Sequence, residues 1–112
     1  MGQVRLRASQ PAIRVQALST SRSASASVVV GRCVFNGIDI KTDGVNDVTL
    51  NVYDSLSASG TQLLPDSVII PGSARLTSIS YDPPVLAEIG IYVEAVAADS
   101  GIYEYQVLYD MG

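Results

Sequence analysis

The chain has 112 residues, of which 47% are hydrophobic and only 16% are charged. This length is typical of one domain and is enough to bury a core without metals or disulfides. The single cysteine excludes an intramolecular disulfide, and the absence of histidine excludes Ser-His-Asp and Cys-His catalytic arrangements and most zinc sites. No GxGxxG or Walker sequence occurs. We therefore expect a non-enzymatic protein with no cofactor, no bound metal and no small-molecule substrate.

The N-terminus lacks the features of a secretory signal. Arg5 and Arg7 are not followed by an apolar segment, and no apolar run is long enough to cross a bilayer. We expect a protein made in the cytoplasm, with no membrane partner. Cys33 is expected to be a small buried residue, because the adjacent Arg32 would point to the opposite face of a strand and could not activate the thiol.

The two parts of the chain carry opposite charge. Residues 1–38 contain five arginines and no acid, a charge of +5. Residues 39–112 contain all eleven acids against Lys41 and Arg75, a charge of −9. The arginines are widely spaced and lack interleaved aromatic residues, so an acidic protein surface, not nucleic acid, is their expected partner. The complementary charges favour a homo-oligomer with exchanged N-terminal segments.

Residues 1–26 are predicted to form an extended arm and linker. Residues 3–7 and 13–18 alternate apolar and polar side chains, with Pro11 between them, and residues 19–27 are almost all small and polar. An alternating extended arm usually needs a surface to lie against. The side chains expected to bind a partner are Val4, Arg5, Leu6, Arg7, Ile13, Arg14 and Val15.

Residues 27–112 are predicted to form an antiparallel β-sandwich, of jelly-roll or immunoglobulin-like type, with seven to eight short strands. Apolar residues alternate with a period of two, and no segment has a helical period. Asn36-Gly37 is expected to be a turn or a bulge, and Asp82-Pro83-Pro84 an extended corner. The predicted strands are residues 28–41 paired with 47–54 as a hairpin, residues 62–64, 68–70 and 74–81, and a closing hairpin of residues 89–98 and 102–109.

The alternation in the closing strands predicts which side chains are buried. Val93 is expected in the core, and so is the side of the last strand that carries Tyr105 and Val107. Glu104 and Gln106 mark the solvent-facing side of that strand.

Two further patterns leave alternatives open. Asp39, Asp43 and Asp47 form a dense acidic run, but the acids that a calcium loop needs at its first, third and fifth positions are missing, which favours solvated acids. The six tyrosines are expected in the core and at its rim, although a carbohydrate-binding module would use them on the surface. An exposed, coplanar pair of tyrosines would favour glycan binding.

Residues 45–110 resemble a family of small virion proteins of tailed bacteriophages. The resemblance lies in the order of turns and strands and covers about sixty residues. The segments that carry it are VTLNVYDS at residues 48–55, SGTQLL at 59–64, ISYDPPVL at 79–86, GIYVEAV at 90–96 and GIYEYQVLYD at 101–110.

This resemblance implies a β-sandwich present in many copies on a phage particle. The leading expectation is a capsid decoration or cement protein that stabilises capsomer junctions, with the major capsid protein or another virion protein as partner. A neck, tail or fibre component is the alternative within the same class. The arm is not part of the resemblance, so its role rests on its charge and alternation alone.

Overall fold

The computed structural model describes residues 17–19 and 21–111. Within these residues the regular structure is β-strand, apart from the short 3-10 turns Gly72–Ala74 and Ala98–Ser100. The strands are β1 (Ala17–Leu18), β2 (Ala26–Val30), β3 (Cys33–Thr42), β4 (Val48–Tyr53), β5 (Val68–Ile70), β6 (Leu76–Ala87), β7 (Gly90–Ala97) and β8 (Tyr103–Asp110).

The strands form two four-stranded antiparallel sheets, which pack into a sandwich. Sheet A has the order β1-β8-β3-β6, and sheet B has the order β2-β7-β4-β5. The inner side chains of both sheets meet in one apolar core, in which Phe35, Ile38, Leu50 and Val93 are fully buried. The predicted all-β sandwich is confirmed.

The predicted hairpin of residues 28–41 and 47–54 is wrong. β3 pairs with β6 and β8 in sheet A, whereas β4 pairs with β5 and β7 in sheet B. The loop after β3 therefore carries the chain across the core instead of back along the same sheet. An alternating pattern shows which face of a strand is buried, but it does not show which strand lies beside it.

The predicted closing hairpin is wrong for the same reason. β7 belongs to sheet B and β8 to sheet A, and the turn Ala98–Ser100 bridges the two sheets. Asp99 and Ser100 adopt positive φ values of 50° and 56° there. The predicted faces are nevertheless confirmed, because Val93, Tyr105 and Val107 are all buried.

The first predicted strand divides into β2 and β3. Gly31, with a φ of 103°, lies in the short connection that moves the chain from sheet B to sheet A. This left-handed value favours glycine. Val29 and Cys33 on either side of the break are both buried. The alternation of buried and exposed side chains thus continues through the change of sheet, so the sequence pattern does not show where β2 ends and β3 begins.

Two shorter predictions concern a strand, which is wrong, and a corner. Residues 62–64 form only an isolated bridge between Gln62 and Tyr53, although Leu63 and Leu64 are buried. The expected corner at Asp82-Pro83-Pro84 lies inside β6, where the pairing with β3 passes from Phe35–Val85 to Gly37–Ser80. Residues 81–84 therefore oppose only Asn36, and the prolines lie outside the regular ladder, where a missing N–H removes no ladder hydrogen bond.

Candidate functional site

The residues predicted to bind a partner lie outside the described part of the chain. They are Val4, Arg5, Leu6, Arg7, Ile13, Arg14 and Val15.

The chain joins the body at the β8 edge of sheet A. Ala17 of β1 pairs with Tyr109 of β8, and the backbone N–H of Ser19 donates to the carbonyl of Val107 at 3.0 Å. The N–H of Val107 donates in return to Ser19 Oγ at 2.9 Å. Because β1 runs antiparallel to β8, a straight continuation upstream of Ala17 leads past Asp110, beyond the end of β8.

Further contacts hold the rest of the predicted linker against both sheets. Arg22 and Tyr105 exchange two backbone hydrogen bonds, at 3.0 and 2.8 Å. Ser25 Oγ accepts a hydrogen bond from the N–H of Ala95 at 3.0 Å. The described residues before 26 are therefore bonded to the body. The division of the chain into an arm up to residue 26 and a domain from 27 stays a prediction.

A groove of about 540 Å³ opens on sheet A close to this junction. Its walls come from three strands, and they combine apolar surface with two carboxylates. Its lining residues are Val34 and Asn36 of β3, Ser80, Tyr81, Asp82 and Pro84 of β6, and Asp110 of β8.

A bulge in β3 accompanies the groove. The pairing register shifts between Phe35 and Gly37 against both neighbouring strands, so Asn36 has no directly opposed partner on either side. A Cβ on Gly37 would overlap the carbonyl of Ile79, so the close approach of β3 and β6 here requires glycine. The Asn36-Gly37 pair, predicted to be a turn or a bulge, forms a bulge.

Two aspartates of sheet A have carboxylates without a partner in the described part of the chain. Among the described residues, neither Asp82, in the groove, nor Asp39, in a second groove of about 220 Å³, has a hydrogen-bond or ion-pair partner. Lys41 also lines that second groove, where its ammonium lies 4.0 Å from a carboxylate oxygen of Glu104. Sheet A thus carries negative charge that the described residues only partly balance.

The other two acids of the predicted acidic run hold the backbone in place. Asp43 Oδ1 accepts from the N–H groups of Val45 and Asn46, both at 2.8 Å. Asp47 Oδ1 accepts from the N–H of Gly72 at 2.8 Å. These bonds fix the loop that crosses from sheet A to sheet B. The backbone N–H and side-chain amide of Asn46 and the N–H of Val45 lower the pKa of Asp43 from 3.8 to about 2.

Asp54 has a structural role that no pattern in the sequence predicts. Its carboxylate accepts three backbone hydrogen bonds from the turn between β6 and β7, at Glu88, Ile89 and Gly90. Partial burial acts to raise the pKa of Asp54, but the three donors outweigh it, and the pKa is lowered from its ordinary value. An isolated aspartate after a strand gives no sequence signal for such a contact.

Two tyrosines of β8 bond to the backbone through their hydroxyls. Tyr105 is buried and donates to the carbonyl of Ala24 at 2.7 Å. Burial, then the neighbouring Tyr103, raises the pKa of Tyr105 to about 12, against a smaller opposing effect of Arg22. Tyr103 stacks on Tyr105 with an interplanar angle of 18° and donates to the carbonyl of Ala95 at 3.0 Å. Both hydroxyls of this stacked pair therefore bond to backbone carbonyls of the protein itself.

One tyrosine pair lies on the outer side of sheet B. Tyr53 and Tyr92 are directly opposite each other in neighbouring strands, and both are half-buried. The Tyr53 hydroxyl donates to Glu94 at 3.4 Å, and Asn51 donates to the same carboxylate oxygen at 3.4 Å. Burial, followed by the charge of Glu94, raises the pKa of Tyr53.

Cys33 is buried, as predicted. Burial is the main cause that raises the pKa of its thiol, and the charge of Asp54 adds to it. The thiol is therefore protonated at neutral pH and is a poor nucleophile.

Among the described residues, no three His, Cys, Asp or Glu side chains are grouped so that they could hold a metal ion. The same residues contain no helix with the length and hydrophobicity needed to cross a bilayer.

Comparison of the chain with protein-family models, with curated proteins and with solved structures returns no match.

Proposed function

We propose that this protein is a non-enzymatic structural component of the virion of a tailed bacteriophage, and that it decorates and cements the capsid. Its partner is the major capsid protein or another virion protein, and its N-terminal segment carries attachment. The observation that supports this most is the charge split: residues 1–16 contain three arginines and no acid, a charge of +3, whereas residues 17–112 contain four basic residues and eleven acids, a charge of −7. The resemblance of residues 45–110 to small phage virion proteins points to the particle.

The junction at Ala17 suits this role. The chain meets the body at a sheet edge, and residues 1–16 can extend up to about 55 Å if fully stretched. Such a segment can lie along a neighbouring subunit, bury alternate apolar side chains and add main-chain hydrogen bonds to an open strand. Its arginines then meet acidic surface, which steers association and sets register more than it sets affinity.

A pelleting assay with purified particles tests the proposal. Deletion of residues 1–16 leaves β1 and its bonds to β8 in place, and we expect this shortened protein to remain in the supernatant while the full chain pellets. Alanine at Arg5, Arg7 and Arg14 should weaken binding less than the deletion does, and mainly at low salt. If the shortened protein pellets as well as the full chain at every salt concentration, attachment does not depend on the segment.

The same assay distinguishes positions on the particle. Binding to empty capsids supports decoration, whereas binding only to isolated necks or tails supports the alternative of a neck, tail or fibre component. If pelleting depends on added DNA, the arginines bind phosphate and the protein partner is excluded as their target.

Carbohydrate binding is a second candidate, carried by one observation. Tyr53 and Tyr92 lie opposite each other on the outer side of sheet B, beside the polar side chains of Asn51 and Glu94. Aromatic surface next to hydrogen-bonding groups is suited to stacking against a sugar ring. A glycan array probed with the wild-type protein and with Tyr92→Ala tests this role. Binding that the substitution abolishes would favour it, and no signal from the wild-type protein would reject it.

A further inference from the structure

We propose that the groove on sheet A, lined by Val34, Asn36, Tyr81, Asp82, Pro84 and Asp110, is the receptor for residues 1–16 of a second copy of this chain. This inference rests on the proposed function and narrows it: the virion protein that receives the N-terminal segment is a second copy of this chain. It adds that the segment is exchanged between copies of the chain.

The groove offers apolar surface together with negative charge. Val34 and Tyr81 are half-buried, Pro84 is exposed, and the directly opposed partner of Val34 in β6, Leu86, leaves 45% of its surface exposed. These side chains form an apolar surface that continues from the groove towards the β6 edge. Asp82 adds a carboxylate that has no partner among the described residues.

Residues 1–16 have the complementary composition. They contain Arg5, Arg7 and Arg14 and no acid, and apolar residues stand beside each arginine. An extended segment of this kind can place apolar side chains on the groove floor, while a long arginine side chain reaches the Asp82 carboxylate at the rim. A guanidinium is suited to this contact because it binds a carboxylate through two parallel hydrogen bonds.

The path of the chain favours a second copy over the chain's own groove. β1 pairs antiparallel with β8, so a straight continuation upstream of Ala17 leads past Asp110 and away from the sheet. A return to its own groove would need a reversal near this exit. Residues 1–16 can span up to about 55 Å when fully extended, which is long enough to reach an adjacent copy. The groove also lies next to β6, an edge strand of sheet A, so an incoming segment displaces no strand.

Two complementary variants of the full-length chain test the proposal. Asp82→Asn keeps the N-terminal segment but weakens the groove. Alanine at Arg5, Arg7 and Arg14 keeps the groove but weakens the segment. Sedimentation velocity across a concentration series at low salt should show that the wild-type protein self-associates and that each variant alone associates less. An exposed ion pair contributes up to about fivefold to an association constant, and we expect a loss of that size for Asp82→Asn, because Asp82 is exposed.

Mixing the two variants distinguishes exchange from binding within one chain. Each variant supplies the part that the other lacks, so an equimolar mixture should form heterodimers and recover association. If the mixture associates no better than the separate variants, residues 1–16 do not dock in the groove of a second copy, and the proposal fails. A wild-type protein that stays monomeric at every concentration would also overturn it.

Asp99→Asn is the matched control. Asp99 is exposed, has no hydrogen-bond or ion-pair partner among the described residues, and lies in the turn before β8, at the opposite end of that strand from Asp110. Asp99→Asn removes the same charge as Asp82→Asn but leaves the groove unchanged, so its association constant should match that of the wild-type protein. Equal losses for Asp82→Asn and Asp99→Asn would mean that only net charge matters, which contradicts a docking site. The proposed function has a separate test: it fails if the wild-type protein does not pellet with particles.

Discussion

The carboxylate of Asp54 accepts a hydrogen bond from the backbone N–H of Ile89 at 2.8 Å, although 35 residues separate them. The same carboxylate accepts from Glu88 at 2.9 Å and from Gly90 at 3.3 Å. Asp54 directly follows β4 of sheet B, and its three donors lie in or beside the turn that leads from β6 of sheet A to β7 of sheet B. One side chain therefore fixes a crossing between the two sheets.

Replacement of Asp54 by alanine should lower the free energy of unfolding by about 1–2 kcal/mol, because a charged acceptor of several hydrogen bonds is lost while water can still reach the freed donors. Urea denaturation measures the change. Asp66→Ala is the control, since the Asp66 carboxylate bonds only to the nearby Gln62 and Ser67 in an exposed loop. The control should change stability by less than about 0.5 kcal/mol. Equal losses in the two variants would contradict a special role for Asp54.

Stability should also fall in acid through Asp43 and Asp54. The pKa of each is lower in the folded protein than its ordinary value, and that of Asp43 is lowered from 3.8 to about 2. A lowered pKa means that the ionised form stabilises the fold above about pH 4 and that this contribution is lost as the pH falls towards 2. Thermal unfolding followed by circular dichroism should show a falling Tm across this range. Asp43→Asn should flatten the fall, and an unchanged pH profile would count against the contribution of Asp43.

The buried faces of the strands could be predicted from the sequence, but their partners could not. Val93 and Tyr105 were assigned to the core by alternation alone, and both are buried. Their strands were expected to pair, yet β7 and β8 lie in different sheets. A turn of three residues can close a hairpin or cross a sandwich, and the alternation on either side is the same in both cases. The choice depends on packing across the core, which no local pattern records.

The groove was only partly visible in the sequence. Asn36-Gly37 indicated a local irregularity, and the structure shows a bulge there. That the bulge lies beside Asp82 and Asp110 depends on the pairing of β3 with β6 and β8, whereas the sequence predicts that β3 pairs with β4. Asp54 gave no signal, because the donors that it binds lie more than thirty residues away.

Val93→Asp should abolish the cooperative fold. Val93 is fully buried between the sheets, and the substitution would place an unpaired charge there, at a cost of several kcal/mol, which is comparable to the whole stability of a small domain. Glu104→Gln is the comparison on the same sandwich, because Glu104 is exposed and its contact with Lys41 is 4.0 Å long. It should change stability by no more than about 0.5 kcal/mol. Near-equal unfolding curves for the two variants would show that the burial of Val93 is misassigned.

The hydrogen bond from the Tyr105 hydroxyl to the carbonyl of Ala24 predicts how the body depends on residues 17–26. A chain that begins at Ala17 keeps this acceptor, whereas one that begins at Ser27 loses it, together with the two bonds of Ser25 to Ala95. We expect both shortened chains to unfold cooperatively, the second at a lower temperature. A molten second chain would contradict the predicted domain boundary.

Tyr105→Phe separates this hydrogen bond from the other contacts that are lost. In the chain that begins at Ala17, the substitution should cost about 1 kcal/mol, because it removes a hydrogen bond and leaves the Ala24 carbonyl without that donor. In the chain that begins at Ser27, the hydroxyl already lacks this acceptor, so the same substitution should be neutral or stabilising. The two differences in unfolding free energy form a double-mutant cycle. If Tyr105→Phe costs the same in both chains, the hydroxyl does not bond to residue 24, and residues 17–26 stabilise the body by other contacts.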